Sequence, residues 1–473
     1  MSEYCHDRKF EVLLKRAETG EIIKFIEGYS GFCGRRDHLK SLAFYGAESG
    51  NIEFIKLALK YGFDIESRHS RYFETALLAA AKNGRLEFMI YLAETCRADI
   101  RACNIWRQSA VYLAAEKGHY SVIQYLYGKG ADINQADSEN ISPIAIASYN
   151  GFEKTVRYLA GKGANLNFAN KKGNNAIIFA AFKGHRKVCE TLCEARADVD
   201  IKNEIGLRPL HLSAREGHHE IIKVLLDNNA APDAADGDGY TPFMLAAAHG
   251  HVEACRTLHA RGCDINALNK RGVPALVMAV SQGREKVMEF MISELGMDIR
   301  AKFENGRTAL TFAAWHGRID IINKLTDQMG FDVNEIDGTG RSPIIYASAF
   351  GDLATVKLLV EKGASLAQRD GYGKGSLHEA AFSGHTRLIE YFIYLGMDVN
   401  EPDTNGWTPV FLAAYNNKKD AIDLLIKNGG NVNFIAHLNH ESPLYRAAQS
   451  NYTECTIALL DGGADPYAAN WCG

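Results

Sequence analysis

A glycine recurs through this chain at a nearly fixed interval. From Gly50 onward, the members of the series are 33 or 34 residues apart. The series is Gly20, Gly50, Gly84, Gly118, Gly151, Gly184, Gly217, Gly250, Gly283, Gly317, Gly351, Gly384, Asn417 and Asn451. Asn readily replaces Gly where the backbone is left-handed, so the last two positions fit the series. This regularity predicts fourteen copies of one structural unit, each stacked on the next.

The eighth copy shows how one unit folds. Thr241 is suited to cap a helix, and Pro242 fits the first turn, where no amide hydrogen is needed. Gly250 is placed to end this helix in the left-handed conformation. Apolar residues from Val252 to Leu258 then recur at the spacing of a second, antiparallel helix. The pattern therefore predicts a hairpin-like connection followed by two helices in every unit.

These units resemble ankyrin repeats, whose pattern is D-x-x-G-x-T-P-L-H-x-A-A-x-x-G-H followed by G-A-D-x-N. Matching segments are RPLHLSAREGH from Arg208, SPIIYASAFGD from Ser342 and WTPVFLAAYNN from Trp407. The resemblance covers roughly residues 9–470. It implies an all-α repeat solenoid, an ankyrin array of antiparallel helix pairs joined by β-hairpin-like loops.

The early repeats depart from the T-P-L-H pattern. Repeat one, from Glu11 to Gly31, lacks it. Repeats two to four carry Ser41-Leu42, Thr75-Ala76 and Ser109-Ala110 at the corresponding positions. In these repeats we expect the first helix to begin near those pairs.

We expect one continuous domain, because a single repeat cannot bury its own apolar face. Residues 1–36 form a degenerate first repeat, and residues 470–473 form a short tail. Repeats two to fourteen are predicted at 37–69, 70–103, 104–136, 137–169, 170–202, 203–235, 236–268, 269–302, 303–336, 337–369, 370–402, 403–436 and 437–469. The last repeat has no polar capping helix, so we expect a partner or a homologous copy to cover the C-terminal edge.

Charge and hydropathy exclude several classes of partner. Lys plus Arg number 53 against 57 Asp plus Glu, a net charge of −4 that disfavours nucleic acid. Apolar runs such as 176–182 are far shorter than the ~20 residues of a membrane helix, which predicts no membrane insertion. The N-terminal segment lacks a secretory signal, and the cysteines form no CxxC pairs. We expect a cytoplasmic protein, with association with the cytoskeleton as an alternative.

The chain carries no recognisable catalytic motif. Histidines recur at two phases of the repeat: His211 and His378, and His119, His185, His218, His251 and His385. Equivalent residues in successive repeats lie ~10 Å apart, too far to share one metal ion. The segment Gly371–Ser376 lacks the spacing of a phosphate-binding loop. We therefore predict no enzyme activity, no metal and no cofactor.

Aromatic residues mark the predicted binding surface. The resemblance implies that hairpin tips and first helices contact the partner. The two positions before the turn residue are not fixed by stacking, and six of them are aromatic: Tyr149, Phe182, Trp315, Phe350, Phe382 and Tyr415. The last four fall in consecutive repeats, which predicts an aromatic strip of the kind found at protein-binding hot spots. The hairpin tips add Tyr72, Trp106, Tyr240, Tyr372 and Trp407.

Several interpretations stay open at this point. The rings at the predicted strip could instead pack against adjacent tips or against the next helix. The leading function is a scaffold or adaptor that binds one or more proteins through a concave groove and its hairpin tips. The alternative is a structural component laid along a cytoskeletal or other filamentous assembly. An unrecognised enzyme would require a buried cluster of polar residues.

Overall fold

The computed structural model describes residues 14, 16, 19–27, 32–69, 73–436 and 440–467. Within these ranges the chain forms α-helices and no strand, with isolated bridges at Cys103–Ser109 and Leu268–Pro274. The chain divides into two compact units. Unit 1 runs up to Gly237 and includes Ala260–Cys263, and unit 2 comprises Asp238–His259 and the chain from Asp264 onward.

The described helices follow one another in pairs after the first helix. They are α1 (Thr19–Glu27), α2 (Phe32–Ser49), α3 (Ile52–Lys60), α4 (Ala76–Lys82), α5 (Leu86–Ile90), α6 (Ala110–Lys117), α7 (Tyr120–Gly128), α8 (Pro143–Tyr149), α9 (Glu153–Gly161), α10 (Ala176–Lys183), α11 (Arg186–Glu194), α12 (Pro209–Glu216), α13 (His219–Asp227), α14 (Pro242–His249), α15 (Val252–Ala260), α16 (Ala275–Ser281), α17 (Glu285–Ser293), α18 (Ala309–Trp315), α19 (Ile319–Asn323), α20 (Pro343–Phe350), α21 (Leu353–Glu361), α22 (Ser376–Ser383), α23 (Thr386–Tyr394), α24 (Pro409–Tyr415), α25 (Lys419–Lys427), α26 (Pro443–Gln449) and α27 (Thr453–Asp461). This succession confirms the predicted all-α repeat architecture.

From the third repeat onward, the first helix begins where the sequence predicts it. The Thr241 hydroxyl accepts a hydrogen bond from the Met244 amide at 3.3 Å, and Pro242 occupies the first turn of α14. In the early repeats, Thr75 and Ser109 cap α4 and α6 in the same way. A capping side chain satisfies one of the amide groups that a helix leaves unpaired at its start.

The N-terminal region departs from the prediction. Helix α2 begins at Phe32, well before Ser41, and runs through Ser41 without interruption. This segment has no T-P-L-H motif that would cap a new helix at Ser41. Gly20 is a helical residue of α1 and does not have the positive φ of the later turn residues. The glycine series therefore predicted one turn too many at its beginning.

A left-handed residue ends the first helix of the later repeats. Gly151 has φ of +80°, and Asn417 and Asn451 have φ of +56° and +58°. The predicted replacement of Gly by Asn is therefore confirmed. At Gly151 a side chain is also excluded by space, because a Cβ atom there would lie 2.6 Å from the ring of His185 in the following repeat.

In several repeats, the residue after the turn connects the repeat to the preceding one in the same unit. His185 Nε2 lies 2.9 Å from the carbonyl oxygen of Tyr149, which can only accept, so this nitrogen carries the hydrogen. The same contact, from a histidine or an arginine to the end of the preceding first helix, recurs at His119, His218, His385, Arg85, Arg284 and Arg318. These histidines are structural residues of the repeat, as predicted.

Three repeats of 34 residues place their extra residue at the end of the second helix. Cys96 donates its amide to Tyr91, Leu295 to Phe290 and Met329 to Lys324, each to a carbonyl five residues earlier. Such a wide turn inserts one residue into a helix without ending it. The following first helix therefore keeps its position against its neighbour.

Nothing in the described ranges is a helix long and apolar enough to cross a membrane. The cysteines whose side chains the structure describes are free thiols: Cys96, Cys103, Cys189, Cys193, Cys255, Cys263 and Cys455. Burial raises the pKa of Cys189, which keeps this thiol protonated.

His378 of unit 2 is buried in its neutral form. Its Nδ1 accepts a hydrogen bond from the Gly375 amide at 3.2 Å, and its Nε2 donates to the Glu401 carbonyl at 2.9 Å. Burial lowers the pKa of this imidazole. A proton on Nδ1 would break the first hydrogen bond and leave a charge with little water around it.

Acidification should therefore destabilise unit 2 through His378. The unfolded state binds a proton near the ordinary pKa of about 6.5, whereas the folded state resists it. The stability contributed by the neutral imidazole is present above that pH and is lost as the pH falls below it. We expect the thermal midpoint, followed by circular dichroism, to fall between about pH 7.5 and about pH 5.5. In His378→Gln, which does not titrate, the fall should be smaller; an equal fall in both proteins would contradict this assignment.

Candidate binding groove

Two positions on each first helix face the same side of a repeat. Counting the capping residue as position one, they are positions five and eight, and the turn residue is position ten. Residues three apart on a helix share a face. The aromatic residues at position eight are Tyr149, Phe182, Trp315, Phe382 and Tyr415, whereas Phe350 is at position nine. The rings of Tyr149, Trp315 and Tyr415 each meet the position-five side chain of the next repeat.

Unit 1 brings Tyr149 and Phe182 to one apolar surface. The ring of Tyr149 meets that of Phe179, at position five of the next repeat, edge to face with centroids 5.5 Å apart. Lys183 Nζ lies 4.6 Å from the ring centre of Tyr149 and 5.1 Å from that of Phe182. The guanidinium of Arg215 lies 5.6 Å from the ring of Phe182. The result is an aromatic wall with cations over its faces.

The aromatic residues predicted at the hairpin tips differ in how exposed they are. Trp106 is 41% exposed at a tip of unit 1, and its carbonyl accepts the Ser138 amide of the next tip at 2.8 Å. In unit 2, Tyr372 is 65% exposed and its carbonyl accepts the Thr404 amide in the same way. Tyr240 is half-buried. Tyr72 lies outside the described residues.

In unit 2, Trp315 pairs with Tyr346 of the next repeat. Their ring centroids are 5.3 Å apart, and Tyr346 is at position five. Arg307 lies 5.7 Å from the ring of Trp315, and Arg341 lies 5.8 Å from that of Tyr346. Each arginine directly precedes a capping residue, so the hairpin places its cation over the rings of the first helix.

A second ring cluster of unit 2 surrounds Tyr415. Its ring lies 6.4 Å from Phe382 and 5.6 Å from Trp407, centroid to centroid. Lys374 Nζ is 5.4 Å from the ring of Trp407, and the Arg446 guanidinium is 4.4 Å from that of Tyr415. Trp407 occupies the hairpin position of Arg307 and Arg341, and it stacks on the rings of the first helix.

Charged residues lie between these two clusters. Arg341 Nε is 3.1 Å from Asp370, and its second amino group is 2.7 Å from Glu379. Both carboxylates are buried, whereas the arginine side chain is 28% exposed. The Tyr346 hydroxyl donates to Asp337 at 2.5 Å. The four predicted residues from Trp315 to Tyr415 therefore do not form one unbroken aromatic strip.

Phe350 lies apart from both clusters. It is 51% exposed, and its ring is near the turn residue Gly317 of the preceding repeat. Successive helix positions are rotated by about 100°, so position nine does not share the face of position eight. The two positions before the turn, which the sequence pattern treats alike, therefore have different surroundings.

Burial changes the acid–base properties of this site. Burial, together with the hydrogen bond to Asp337, raises the pKa of Tyr346 to about 12. Burial also raises the pKa of Glu379, although Arg341 and Lys374 act in the opposite direction. Arg341 and Lys374 therefore favour the charged form of Glu379, against the effect of burial.

Sequence reasoning missed position five and the hairpin cations. Both could have been found from the repeat register, because Arg307, Arg341 and Lys374 align with Trp407 directly before the capping position. Among the described residues, no group of three or more His, Cys, Asp or Glu is placed to hold a metal ion. What the groove offers is ring faces and cations, which suits non-covalent recognition.

Replacing Arg341 should destabilise unit 2. In Arg341→Met, Asp370 and Glu379 would lose the cation between them, and an unpaired buried charge typically costs about 3 kcal/mol. We expect the midpoint of urea unfolding to fall by a corresponding amount. Arg387→Met is the matched control, because Arg387 is exposed on α23 and makes no ion pair with a described residue. Equal midpoints for the two variants would contradict the role of Arg341.

The chain is similar, over short segments, to proteins whose names indicate very different kinds of protein. The chain is 33% identical over 115 residues to the candidate palmitoyltransferase ZDHHC13 of Danio rerio, a match that covers 24% of this chain and 18% of that protein. It is 29% identical over 107 residues to alpha-latrotoxin-Lg1a of Latrodectus geometricus, covering 22% and 8%. It is 31% identical over 91 residues to the human (Homo sapiens) ankyrin repeat and SOCS box protein 3, covering 19% and 18%. The chain thus matches less than a fifth of each of these relatives.

A family model accounts for nearly the whole repeat region. The model described as ankyrin repeats (3 copies) matches residues 43–137, 113–203, 196–269, 258–337, 276–370, 329–403 and 377–470. These overlapping matches agree with the paired helices and left-handed turns of both units. The chain therefore belongs to the ankyrin-repeat family.

Proposed function

We propose that this protein is a scaffold or adaptor that binds a partner protein through the first helices and hairpin tips of its repeats. Ankyrin repeats are generally protein–protein interaction modules, and this chain consists of them over most of its length. The observation that carries the proposal is the pairing of position-eight rings with position-five side chains of the next repeat, as between Trp315 and Tyr346.

The exposure of these rings supports the proposal. Trp315 is 37% exposed although it contacts Tyr346 and Arg307, so part of its surface is available to a partner. Large aromatic residues and arginine are the residue types most enriched at the energetic centres of interfaces. A ring held by neighbours on two repeats also loses little freedom on binding, which lowers the entropic cost of association.

The similar proteins add support only for the repeat itself. A candidate palmitoyltransferase, a toxin and a SOCS box protein share it, and each match covers a small part of the relative. Such a distribution fits a module that supplies binding while other parts of a protein supply different activities. Neither acyl transfer nor toxicity is proposed for this chain.

Removing two groove rings should weaken partner binding. In Trp315→Ala with Phe382→Ala, each of the two clusters of unit 2 loses a ring, and hot-spot truncations cost about 2 kcal/mol or more. We expect recovery of specific partners to fall by about tenfold or more. The measurement is affinity purification with quantitative mass spectrometry, after circular dichroism has shown that the variant is folded.

The matched control for this experiment is Tyr394→Ala. Tyr394 ends the second helix α23 and is 83% exposed, so the change removes an aromatic ring away from the first helices. Partner recovery should stay at the wild-type level. If the double variant recovers the same partners as the control, the groove of unit 2 is not the binding site.

A further inference from the structure

Unit 1 contains an apolar pocket of about 450 Å³ on the groove side. Its walls include the rings of Tyr149, Phe179 and Phe182 and the side chain of Leu212. Ile205, at the hairpin tip, forms part of the rim and is 66% exposed. A volume of this size is more than one amino-acid side chain needs, and aromatic walls favour an apolar occupant.

Cations predominate around this pocket. Lys172 and Arg215 line it, and Lys183 lies over the faces of two of its rings. Glu204 is the carboxylate that lines the pocket. Arg215 is 2.9 Å from Glu216, whereas neither Lys172 nor Lys183 forms an ion pair with a described residue. This local excess of positive charge contrasts with the net charge of −4 of the chain.

We infer that this pocket binds a peptide segment of the partner that places an apolar side chain beside a carboxylate. The apolar side chain enters between the rings, and the carboxylate pairs with Lys183 and Lys172 at the rim. The inference rests on the proposed function, and it adds the chemistry of the segment that unit 1 recognises.

Charge complementarity argues for the carboxylate. The ammonium of Lys183 lies against ring faces, so part of its water is already replaced. A carboxylate that arrives there meets a cation without an acidic partner, and charge complementarity of this kind determines which partners an interface accepts. Because an extended chain advances about 3.3 Å per residue, the carboxylate must lie within about two residues of the apolar side chain. It can come from Asp or Glu, or from the C-terminus of the partner.

The test uses random decapeptides bound to beads. One library is attached through its N-terminus and presents free C-terminal carboxylates, and the other is attached through its C-terminus. Beads are kept when they bind the labelled full-length protein but not its Phe182→Ala variant. The sequences found are then synthesised with a fluorescent label and titrated by fluorescence anisotropy. Ile205→Ser serves as a second pocket variant, because Ile205 is largely exposed and its loss should not affect folding.

We expect the selected peptides to carry an aromatic or aliphatic residue within two positions of a carboxylate. Their dissociation constants should rise at least about tenfold in Lys183→Glu and change little in Lys187→Glu. Lys187 is an exposed lysine on the second helix α11, so its reversal changes the net charge equally. Selection from the free C-terminus library alone would identify the terminal carboxylate as the source. Peptides without a nearby carboxylate, equal binding by both lysine variants, or no selected peptide would each overturn the inference.

This experiment separates the inference from the proposed function. Peptides selected on the pocket of unit 1 should bind Trp315→Ala with Phe382→Ala as tightly as wild type. If that double variant loses its protein partners but no acidic peptide is selected, the proposed function stands and the pocket inference fails. If acidic peptides bind the pocket but the double variant keeps its partners, the unit 2 groove fails and the pocket inference stands.

Discussion

At several first helices, a carbonyl at the C-terminal end accepts its hydrogen bond from the following repeat of the same unit. A left-handed residue such as Gly151 turns the chain away, and His185 of the next repeat then donates to the Tyr149 carbonyl. A helix end leaves such groups unpaired unless another part of the protein supplies a donor. At these positions a repeat completes its predecessor, and the contact holds the end of one first helix against the repeat that follows it in the same unit.

The same two helix positions present different chemistries in the two units. In unit 1, position eight of one repeat and position five of the next place Tyr149 against Phe179, and lysines lie over the rings. In unit 2, the same positions hold Trp315 and Tyr346, while Arg341 is bound by two buried carboxylates. The backbone geometry is shared, so the difference in surface lies in a few residues per repeat.

The fold was predictable from the sequence because the determinants of the repeat are local. The cap at Thr241, the proline after it and the turn residues, including Asn417, act within a few residues and need no knowledge of the tertiary structure. Packing of the position-eight rings against the next helix was one of the open alternatives, but the particular pairing of Trp315 with Tyr346 was not predicted, because it depends on the rotation of one helix relative to the next. Phe350, one residue beyond the groove position, shows how far a single helical step changes the surroundings of a ring. The early start of α2 was missed because nothing in its sequence marks a beginning.

The wide turns at Tyr91–Thr95 and Lys324–Gln328 have a consequence for how such a chain can diversify. An added residue there is accommodated within one wide helical turn. This turn lies at the end of the second helix, away from the groove positions on the first helix. Repeat length and groove geometry are therefore independent at these sites. A residue can be gained or lost in this place while positions five and eight of neighbouring repeats keep their alignment.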